Sequence, residues 1–346
     1  MIDTSLKRIV RKAAVVLLLV CVTGSAAGIT MVRPAAPAAP PVGSLAARHP
    51  GDVGMASDPD VVWYENFSEG SLATVLARYA QHKHAAGMAL VADHPSGAPS
   101  KYALRLTSGG THPATYLYKS FGRGYQALYV RYYAKYIGRG PWHHSGVWIG
   151  GYNPPLPYPY PRAGLRPVGS GWFSIGLEPI PDLPDTPMDL YTYWRGMHSW
   201  KAAPTRRRYD YFGNTLLQDP HFLLRSNAWV CYEIHVKLNP DPASAAGAVL
   251  AVWQNDRLIR RFDDHSPLGY WVRDKFCPRH GSGPQCTRYR PAHPRLTVLD
   301  QRWRTAPALT LNYFWPQNYN TAPQDSSLLL ADVVIATHRI GCIAPR

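Results

Sequence analysis

The sequence predicts an all-β protein, a two-sheet antiparallel β-sandwich of the jelly-roll type with long loops. Alternating apolar and polar runs recur from Val61 onward between turn-rich breaks, as expected of short strands. The 33 Pro and 28 Gly favour many turns and argue against a helical bundle. Hydrophobic residues make up 46% of the 346 residues, which is sufficient for one large core.

The N-terminal region is expected to direct export. Basic residues at positions 7–12 precede an uncharged run from Ala13 to Val32. Residues 1–32 are therefore predicted to be a signal peptide, with cleavage after Ala27, or an uncleaved N-terminal membrane anchor. Residues 33–60, rich in Pro and Ala, are predicted to be a linker, and residues 61–346 the jelly-roll domain. The protein is therefore expected to be extracytoplasmic: secreted, periplasmic or anchored at the cell surface.

Strand signals follow one another along the domain, at positions 102–107, 127–136, 229–238, 249–262, 308–314 and 328–336. The segment 249–262 is typical of a hairpin whose turn is Asn255-Asp256. One short helix is predicted, from Leu72 to His84. Residues 138–226 are predicted to be mostly loops, and long loops on a rigid scaffold are where binding sites usually lie.

Four cysteines follow the N-terminal segment, an even number that suits disulfides in an oxidising compartment. Cys277 and Cys286 bracket a loop rich in Pro, Gly and His, and are predicted to pair. Cys231 and Cys342 would then join two strand-like segments. Four cysteines allow three pairings, and this is the most economical of them.

The charge and aromatic content favour an acidic polysaccharide as partner. Lys and Arg outnumber Asp and Glu by 37 to 22, and such a surplus attracts polyanions, although it also serves merely to keep an exported protein soluble. Nucleic acid is not expected, because no basic helix, RNP-like strand pair or Cys/His finger occurs. The 11 Trp and 22 Tyr exceed the needs of a core and suggest aromatic surfaces for sugar rings. No cofactor or metal is predicted.

Several segments carry a resemblance to known enzymes through their order and spacing. They are Tyr129-Val-Arg-Tyr-Tyr-Ala-Lys-Tyr, His143-His-Ser-Gly-Val-Trp-Ile-Gly-Gly, Phe173-Ser174, Tyr191-Thr-Tyr193, Glu233-Ile-His-Val-Lys-Leu-Asn, Val252-Trp-Gln-Asn-Asp and Ala331-Asp-Val-Val-Ile-Ala-Thr-His-Arg-Ile-Gly. Together they resemble the concanavalin A-like jelly rolls of bacterial polysaccharide lyases, especially the alginate and glucuronan lyase group. The likeness covers roughly residues 61–343.

The resemblance implies a catalytic site. Ser174, Tyr191 and Tyr193 fall where the family has a serine and two tyrosines. The family's lysine position is taken by His143 or His144. Its arginine position is taken by Gly176, so that two cationic positions have changed.

β-Elimination of a uronide needs a group that neutralises the carboxylate, a base for the C5 proton and an acid for the leaving oxygen. His144 titrates near neutral pH and would be the base or the clamp. Tyr193 would be the acid, or acid and base in turn. Arg195 would be the carboxylate clamp, because a strand over 191–195 would point Tyr191, Tyr193 and Arg195 to one face.

Contacts with substrate are expected from residues near this site and from one further strand face. If the apolar side of strand 229–238 faces the core, its polar side is expected to face the cleft, although an ion pair between Glu233 and Lys237 is equally compatible. The expected substrate-binding residues are His143, Trp148, Glu233, His235, Lys237 and Trp253.

The predicted function is therefore binding of an acidic polysaccharide, with cleavage by β-elimination. The alternative is a non-catalytic carbohydrate-binding or cell-surface protein on the same scaffold. Hydrolysis would require two carboxylates in one cleft, and Glu178 with Glu233 or with Asp189 are the candidate pairs.

Overall fold

The computed structural model describes residues 40–181, 186–203 and 209–344. Within these ranges most regular structure is β, and the predicted all-β class is confirmed. The strands are β1 (Val61–Glu65), β2 (Gln81–Lys83), β3 (Met88–Val91), β4 (Ala103–Ser108), β5 (Ala114–Tyr125), β6 (Ala127–Ile137), β7 (His144–Tyr152), β8 (Trp172–Pro179), β9 (Met188–Tyr193), β10 (Val230–Lys237), β11 (Val249–Gln254), β12 (Arg257–Phe262), β13 (Gly269–Val272), β14 (Lys275–Pro278), β15 (Leu311–Tyr319) and β16 (Ser326–Ala336).

The helices are short. They are α1 (Leu45–Arg48), α2 (Leu72–Leu76) and α3 (Pro284–Arg288), with 3₁₀ turns at Pro50–Asp52, Met55–Ser57 and Ala85–Gly87. Ser71 caps α2, because its side chain accepts a hydrogen bond from the backbone N–H of Thr74. The helix predicted to reach His84 ends at Leu76, since residues 81–83 pair with β5 as a strand instead.

Two antiparallel sheets form the sandwich. The larger sheet has the order β12-β11-β10-β6-β16-β4-β3, with β1 also paired to β16. The smaller sheet has the order β2-β5-β15-β7-β8-β9, and β13 and β14 form a separate hairpin. β7, β8 and β9 lie in the region predicted to be mostly loops. Because β8 is buried on both faces and β7 nearly so, these strands lack the alternation that reveals a half-buried strand.

The core lies between the two sheets. Tyr132 and Ile234 from the larger sheet share one cluster with Ile149, Phe173 and Ile175 from the smaller sheet. Because successive side chains of a strand point to opposite faces, the residues between these point away from the core. The sandwich therefore has two outer faces on opposite sides, one for each sheet.

The folded unit begins before the predicted boundary at position 61. Leu45 and Met55 pack in one cluster with residues from β16 and with Ile340. Asp52 accepts a hydrogen bond at 3.1 Å from the guanidinium of Arg131, and both side chains are fully buried. Residues from about 44 onward therefore cover the outer face of the larger sheet instead of forming a linker. The predicted leader and residues 33–39 lie outside the described residues.

Both predicted disulfides are confirmed. Cys277 in β14 bonds to Cys286 in α3, and Cys231 in β10 bonds to Cys342. Cys342 lies beyond the end of β16, so this bond ties the C-terminal segment to the sheet and does not join two strands. Across the described ranges, no helix has the length and apolar character needed to cross a bilayer.

Candidate functional site

The outer face of the smaller sheet brings together four of the five residues expected to be catalytic. His144 is on β7, Ser174 on β8, and Tyr191 and Tyr193 on β9. The register places Ser174 opposite Tyr193, and period two puts Tyr191 on the same face as Tyr193. The phenolic oxygens of Tyr191 and Tyr193 are 3.5 Å apart, and the rings of His144 and Tyr191 are 4.7 Å apart.

His144 forms a pair with a carboxylate that lies behind it. Its Nδ1 is 2.8 Å from Oε1 of Glu178, and the exposed fractions of the two side chains are 23% and 2%. Burial lowers the pKa of His144, but the charge and hydrogen bond of Glu178 raise it by more, so the pKa lies above its ordinary value. Burial likewise raises the pKa of the Glu178 carboxyl. The pair therefore holds a proton readily, with the imidazole toward solvent and the carboxylate beneath.

The two tyrosines keep their protons at neutral pH. Burial raises the pKa of Tyr193 to about 12 and raises the pKa of Tyr191 further. Ser174 lies deeper in the sheet, where its Oγ accepts a hydrogen bond of 2.7 Å from the phenol of Tyr313. Tyr191 and Tyr193 therefore present hydroxyl donors, and the Ser174 hydroxyl is already engaged below them.

Aromatic rings surround these residues. Trp148 is 5.8 Å from Trp315 and 5.7 Å from Tyr191, and Tyr116 is 5.9 Å from Trp315. Tyr319 lies 5.8 Å from His144. Trp148 and Trp315 are buried, with 5% and 7% of their surface exposed, whereas Tyr116 and Tyr319 are partly exposed. The partly exposed rings offer apolar surface with polar edges, which suits the faces of sugar rings. We call this surface the aromatic face: Tyr116, His144, Trp148, Tyr191, Tyr193, Trp315 and Tyr319.

Trp148 explains the absence of an arginine at position 176. A Cβ added to Gly176 would lie 2.5 Å from the Trp148 ring, which leaves no space for a side chain. The indole therefore occupies the volume in which the resemblance places an arginine. Of the expected substrate-binding residues, Trp148 and His143 are at this site. The His143 ring stacks on His144 at 4.1 Å and lies 5.6 Å from Tyr319.

Arg195 does not continue the strand that carries the tyrosines. β9 ends at Tyr193, and the next residue, Trp194, is fully buried with its indole N–H bonded to the carbonyl of Asp300 at 2.6 Å. This anchor turns the chain, so the period-two placement of Arg195 is wrong. The Arg195 carbonyl accepts a hydrogen bond from Arg166. Within the described ranges, no lysine or arginine forms an ion pair or hydrogen bond with His144, Tyr191 or Tyr193.

The other four expected substrate contacts lie on the opposite side of the sandwich. Glu233, His235 and Lys237 alternate with the core residues of β10, and Trp253 is opposite Glu233 on β11. These residues point away from the smaller sheet, so the expectation that they face its cleft is wrong. The alternation predicted for β10 is present, but its polar side faces the terminal segments.

Those terminal contacts satisfy the carboxylate of Glu233 on β10. Glu233 accepts hydrogen bonds from the backbone N–H groups of Ile340 and Gly341 and from Arg339. The Arg339 guanidinium also lies 4.2 Å from the centre of the Trp253 ring. The side chain that Glu233 pairs with is therefore Arg339, and the alternative ion pair with Lys237 is not formed.

The carboxylates suggested for hydrolysis do not meet as a free pair. Glu233 is on the other sheet. Asp189 is opposite Glu178, but it is buried and accepts hydrogen bonds from the backbone N–H groups of Leu190, Leu216, Leu217 and Gln218. Asp189 therefore anchors the segment 216–218, and Glu178 is occupied by His144.

Glu178 is the main site residue that the sequence reasoning did not assign to elimination. A signal was present, because Glu178 is four residues after Ser174 and so shares its face in a strand. Trp315, Tyr319 and Tyr116 were also missed. Their position depends on the pairing of β15 with β5 and β7, which a single sequence does not reveal.

Comparison with known proteins identifies the fold. No family model matches the chain, and no curated protein matches it. A variant of alginate lyase Aly36B in complex with an alginate tetrasaccharide is similar at 9% identity and a TM-score of 0.50, covering 82% of this chain and 99% of that one. The marine PL-14 alginate lyase from Aplysia kurodai is similar at 16% identity and a TM-score of 0.50, covering 80% of this chain and 99% of that one. The predicted jelly-roll sandwich is thus confirmed at the level of the fold.

Proposed function

We propose that the aromatic face binds a polysaccharide that contains uronate residues and cleaves it by β-elimination. The observation that carries the proposal is the pairing of His144 with the buried Glu178 beside two protonated tyrosines. Acidic and basic groups are adjacent there, beside the partly exposed rings of Tyr191 and Tyr319. The similarity of the fold to two alginate lyases supports the choice of substrate class.

His144 is the base in this proposal. When its Nδ1–H donates to Glu178, the lone pair is on Nε2, and a carboxylate partner fixes this tautomer and ring orientation. A base is most effective when its pKa lies near the working pH. The carboxylate of Glu178 raises the pKa of His144 and so strengthens the imidazole as a base.

Tyr193 is the acid. Its pKa of about 12 keeps the phenolic proton in place until the leaving oxygen takes it. The C5 proton moves to His144, the C4–C5 double bond forms, the C4–O bond breaks with its electron pair on oxygen, and Tyr193 protonates that oxygen. The Tyr191 hydroxyl, next to both residues, donates to the uronate carboxylate as negative charge develops on it.

The test is a panel of polyuronates and glycosaminoglycans incubated with the purified protein, with ultraviolet absorbance of the unsaturated product as the readout. We expect product from a uronate polymer and a loss of about 10²–10⁴-fold in rate in Tyr193→Phe. Tyr125→Phe is the matched control, because Tyr125 is at the far end of β5 and pairs with Leu311. Product formation at the wild-type rate in Tyr193→Phe would exclude Tyr193 as the acid.

A non-catalytic carbohydrate-binding protein is the second candidate. It is favoured by Trp148, whose indole fills the space over Gly176. An aromatic ring thus lies where the resemblance places the side chain of an arginine. If the protein only binds carbohydrate, we expect it to bind a polymer of the panel and to release no unsaturated product from any of them. Binding that is lost in Trp148→Ala without any turnover in the wild type would establish it.

We further propose that the protein acts outside the cytoplasm. The two disulfides indicate an oxidising compartment, and the predicted leader would deliver the chain there. Cell fractionation of the full chain tests this. Recovery of the protein in the cytoplasm with reduced Cys277 and Cys286 would contradict it.

A further inference from the structure

A concave surface lies in the segment that joins β12 to β15, and it is strongly basic. It encloses about 420 Å³. It shares no residue with the aromatic face. We call it the basic cleft; its lining includes Tyr270, Arg279, Arg290, His293 and Arg295.

The basic cleft is built on a clamped loop. Gly269 and Thr297, near its two ends, exchange backbone hydrogen bonds of 2.8 and 2.7 Å. The disulfide between Cys277 and Cys286 closes the loop internally. Tyr270 is 4% exposed and donates to the carbonyl of Cys286 at 3.4 Å. The shape of the cleft is therefore set by covalent and hydrogen-bonded contacts, which reduces the entropic cost of binding a ligand.

The charge of this loop is unbalanced. Residues 275–299 contain five Lys or Arg, two His and no Asp or Glu. Arg279, Arg290 and Arg295 are exposed, and no carboxylate among the described residues forms an ion pair with any of them. Asp274, the nearest acidic residue before the segment, is paired with Lys275. Three exposed guanidinium groups around one concavity, none paired with a carboxylate among the described residues, favour the binding of an anion there.

The basic cleft is connected to the edge of the aromatic face. Thr192 of β9 forms a bridge with Asn214, and Thr215 forms the next bridge with Lys275 of β14. The ring of Trp271 stacks on His198 at 4.0 Å, which fixes β13 against the chain that follows β9. A long polymer that leaves the aromatic face past β9 would therefore meet the loop that carries the cleft.

We propose that the basic cleft is a distal subsite that binds the carboxylate or sulfate groups of an acidic polysaccharide chain. The identity of the polymer rests on the function proposed above, whereas the anion binding does not. The guanidinium group of arginine can donate two parallel hydrogen bonds to the oxygens of one carboxylate or sulfate group. Nucleic acid fits less well, because Tyr270, the aromatic lining residue, is buried and offers no open ring for a base.

The test compares two variants that remove the same charge from the full chain. Arg290→Gln/Arg295→Gln alters the cleft, and Arg105→Gln/Arg257→Gln alters exposed arginines on β4 and β12 of the other sheet. Affinity is measured for a long polyuronate and for a uronate trisaccharide. We expect the cleft variant to bind the long polymer about fivefold to tenfold more weakly, with the control variant within about twofold of wild type. Trisaccharide affinity and any turnover should be unchanged in both variants.

The outcomes separate this proposal from the proposed function. If the wild type shows no elimination but the cleft variant still loses polymer affinity, the subsite stands and the lyase function fails. Equal polymer affinity in the two variants would overturn the subsite. A stronger loss of affinity for single-stranded DNA than for every polysaccharide would reassign the cleft to nucleic acid.

Discussion

The two outer faces of the sandwich carry nearly the same residue types and yet differ in what they can do. The aromatic face has His144 beside a glutamate, a tyrosine and a tryptophan. The outer face of the larger sheet has His235 near the same three types. Its ring stacks on Tyr129 at 3.9 Å, with Trp253 adjacent. Residue types alone would therefore nominate either face as a site.

The difference lies in what covers each face. On the larger sheet, Leu45, Met55 and Ile340 from the terminal segments pack over the strands, and Glu233 accepts hydrogen bonds from Arg339 and from two backbone N–H groups. Burial, with the nearby charges of Arg261, Lys237 and Arg339, lowers the pKa of His235 to about 3. On the smaller sheet, the glutamate is buried behind a histidine that remains partly exposed. An accessible titratable group with its own buried partner distinguishes a site from a covered surface.

The largest expected effect comes from substituting each of the two histidines by glutamine in separate variants. His144→Gln removes the proposed base, and we expect the rate of elimination to fall by about 10²–10⁴-fold. His235→Gln should leave the rate within about twofold of wild type, because His235 is neutral and on the other side of the sandwich. Initial rates of unsaturated product formation provide the measurement, and equal losses in the two variants would refute the assignment.

Substituting each of the two glutamates by glutamine should separate an effect on the pH dependence of the rate from an effect on the stability of the fold. The carboxylate of Glu178 raises the pKa of His144, and elimination needs the neutral imidazole, so activity should rise with pH through that pKa. In Glu178→Gln the raising charge is lost, and the acidic limb of the rate profile should move to lower pH. We expect the maximum rate to fall about tenfold or more as the imidazole loses its fixed orientation.

Glu233→Gln is the matched control for that profile. It should leave the acidic limb in place and instead lower the free energy of unfolding by about 1–3 kcal/mol, because Arg339 keeps only Asp256 as a charged partner and two backbone N–H groups lose a charged acceptor. Denaturant titration measures this loss. A shifted limb in Glu233→Gln, or an unshifted one in Glu178→Gln, would contradict the roles assigned to the two pairs.

What the sequence predicts here depends on the range of the interactions. The β11–β12 hairpin is predicted from Asn255 and Asp256, and both adopt the positive φ that such a turn requires. Tyr191 and Tyr193 are placed on one face by period two alone. These features are local, so neighbouring residues suffice to reveal them.

The misplaced residues depend on distant parts of the chain. Alternation along β10 shows that Glu233 and His235 share a face, but Arg339, more than a hundred residues later, covers it. Likewise, Glu178 becomes a partner of His144 only through the register of β7 with β8. Arg195 is misplaced because Trp194 is anchored by Asp300. Sheet register and the packing of the terminal segments therefore determine which residues form the site, and neither can be predicted from a local sequence pattern.

The smallest expected effect distinguishes the two tryptophans. Trp148 lies among the rings of the aromatic face, whereas Trp253 lies under the Arg339 guanidinium. Trp148 is buried, so phenylalanine there acts through the rings of Tyr191 and Trp315 that pack against it. We expect Trp148→Phe to weaken binding of a uronate polymer about threefold to tenfold, and Trp253→Phe to leave it unchanged. Equilibrium titration of the polymer measures both affinities, with thermal unfolding of each variant to verify the fold. If Trp253→Phe weakens binding and Trp148→Phe does not, the polymer lies on the larger sheet and the comparison of the two faces is reversed.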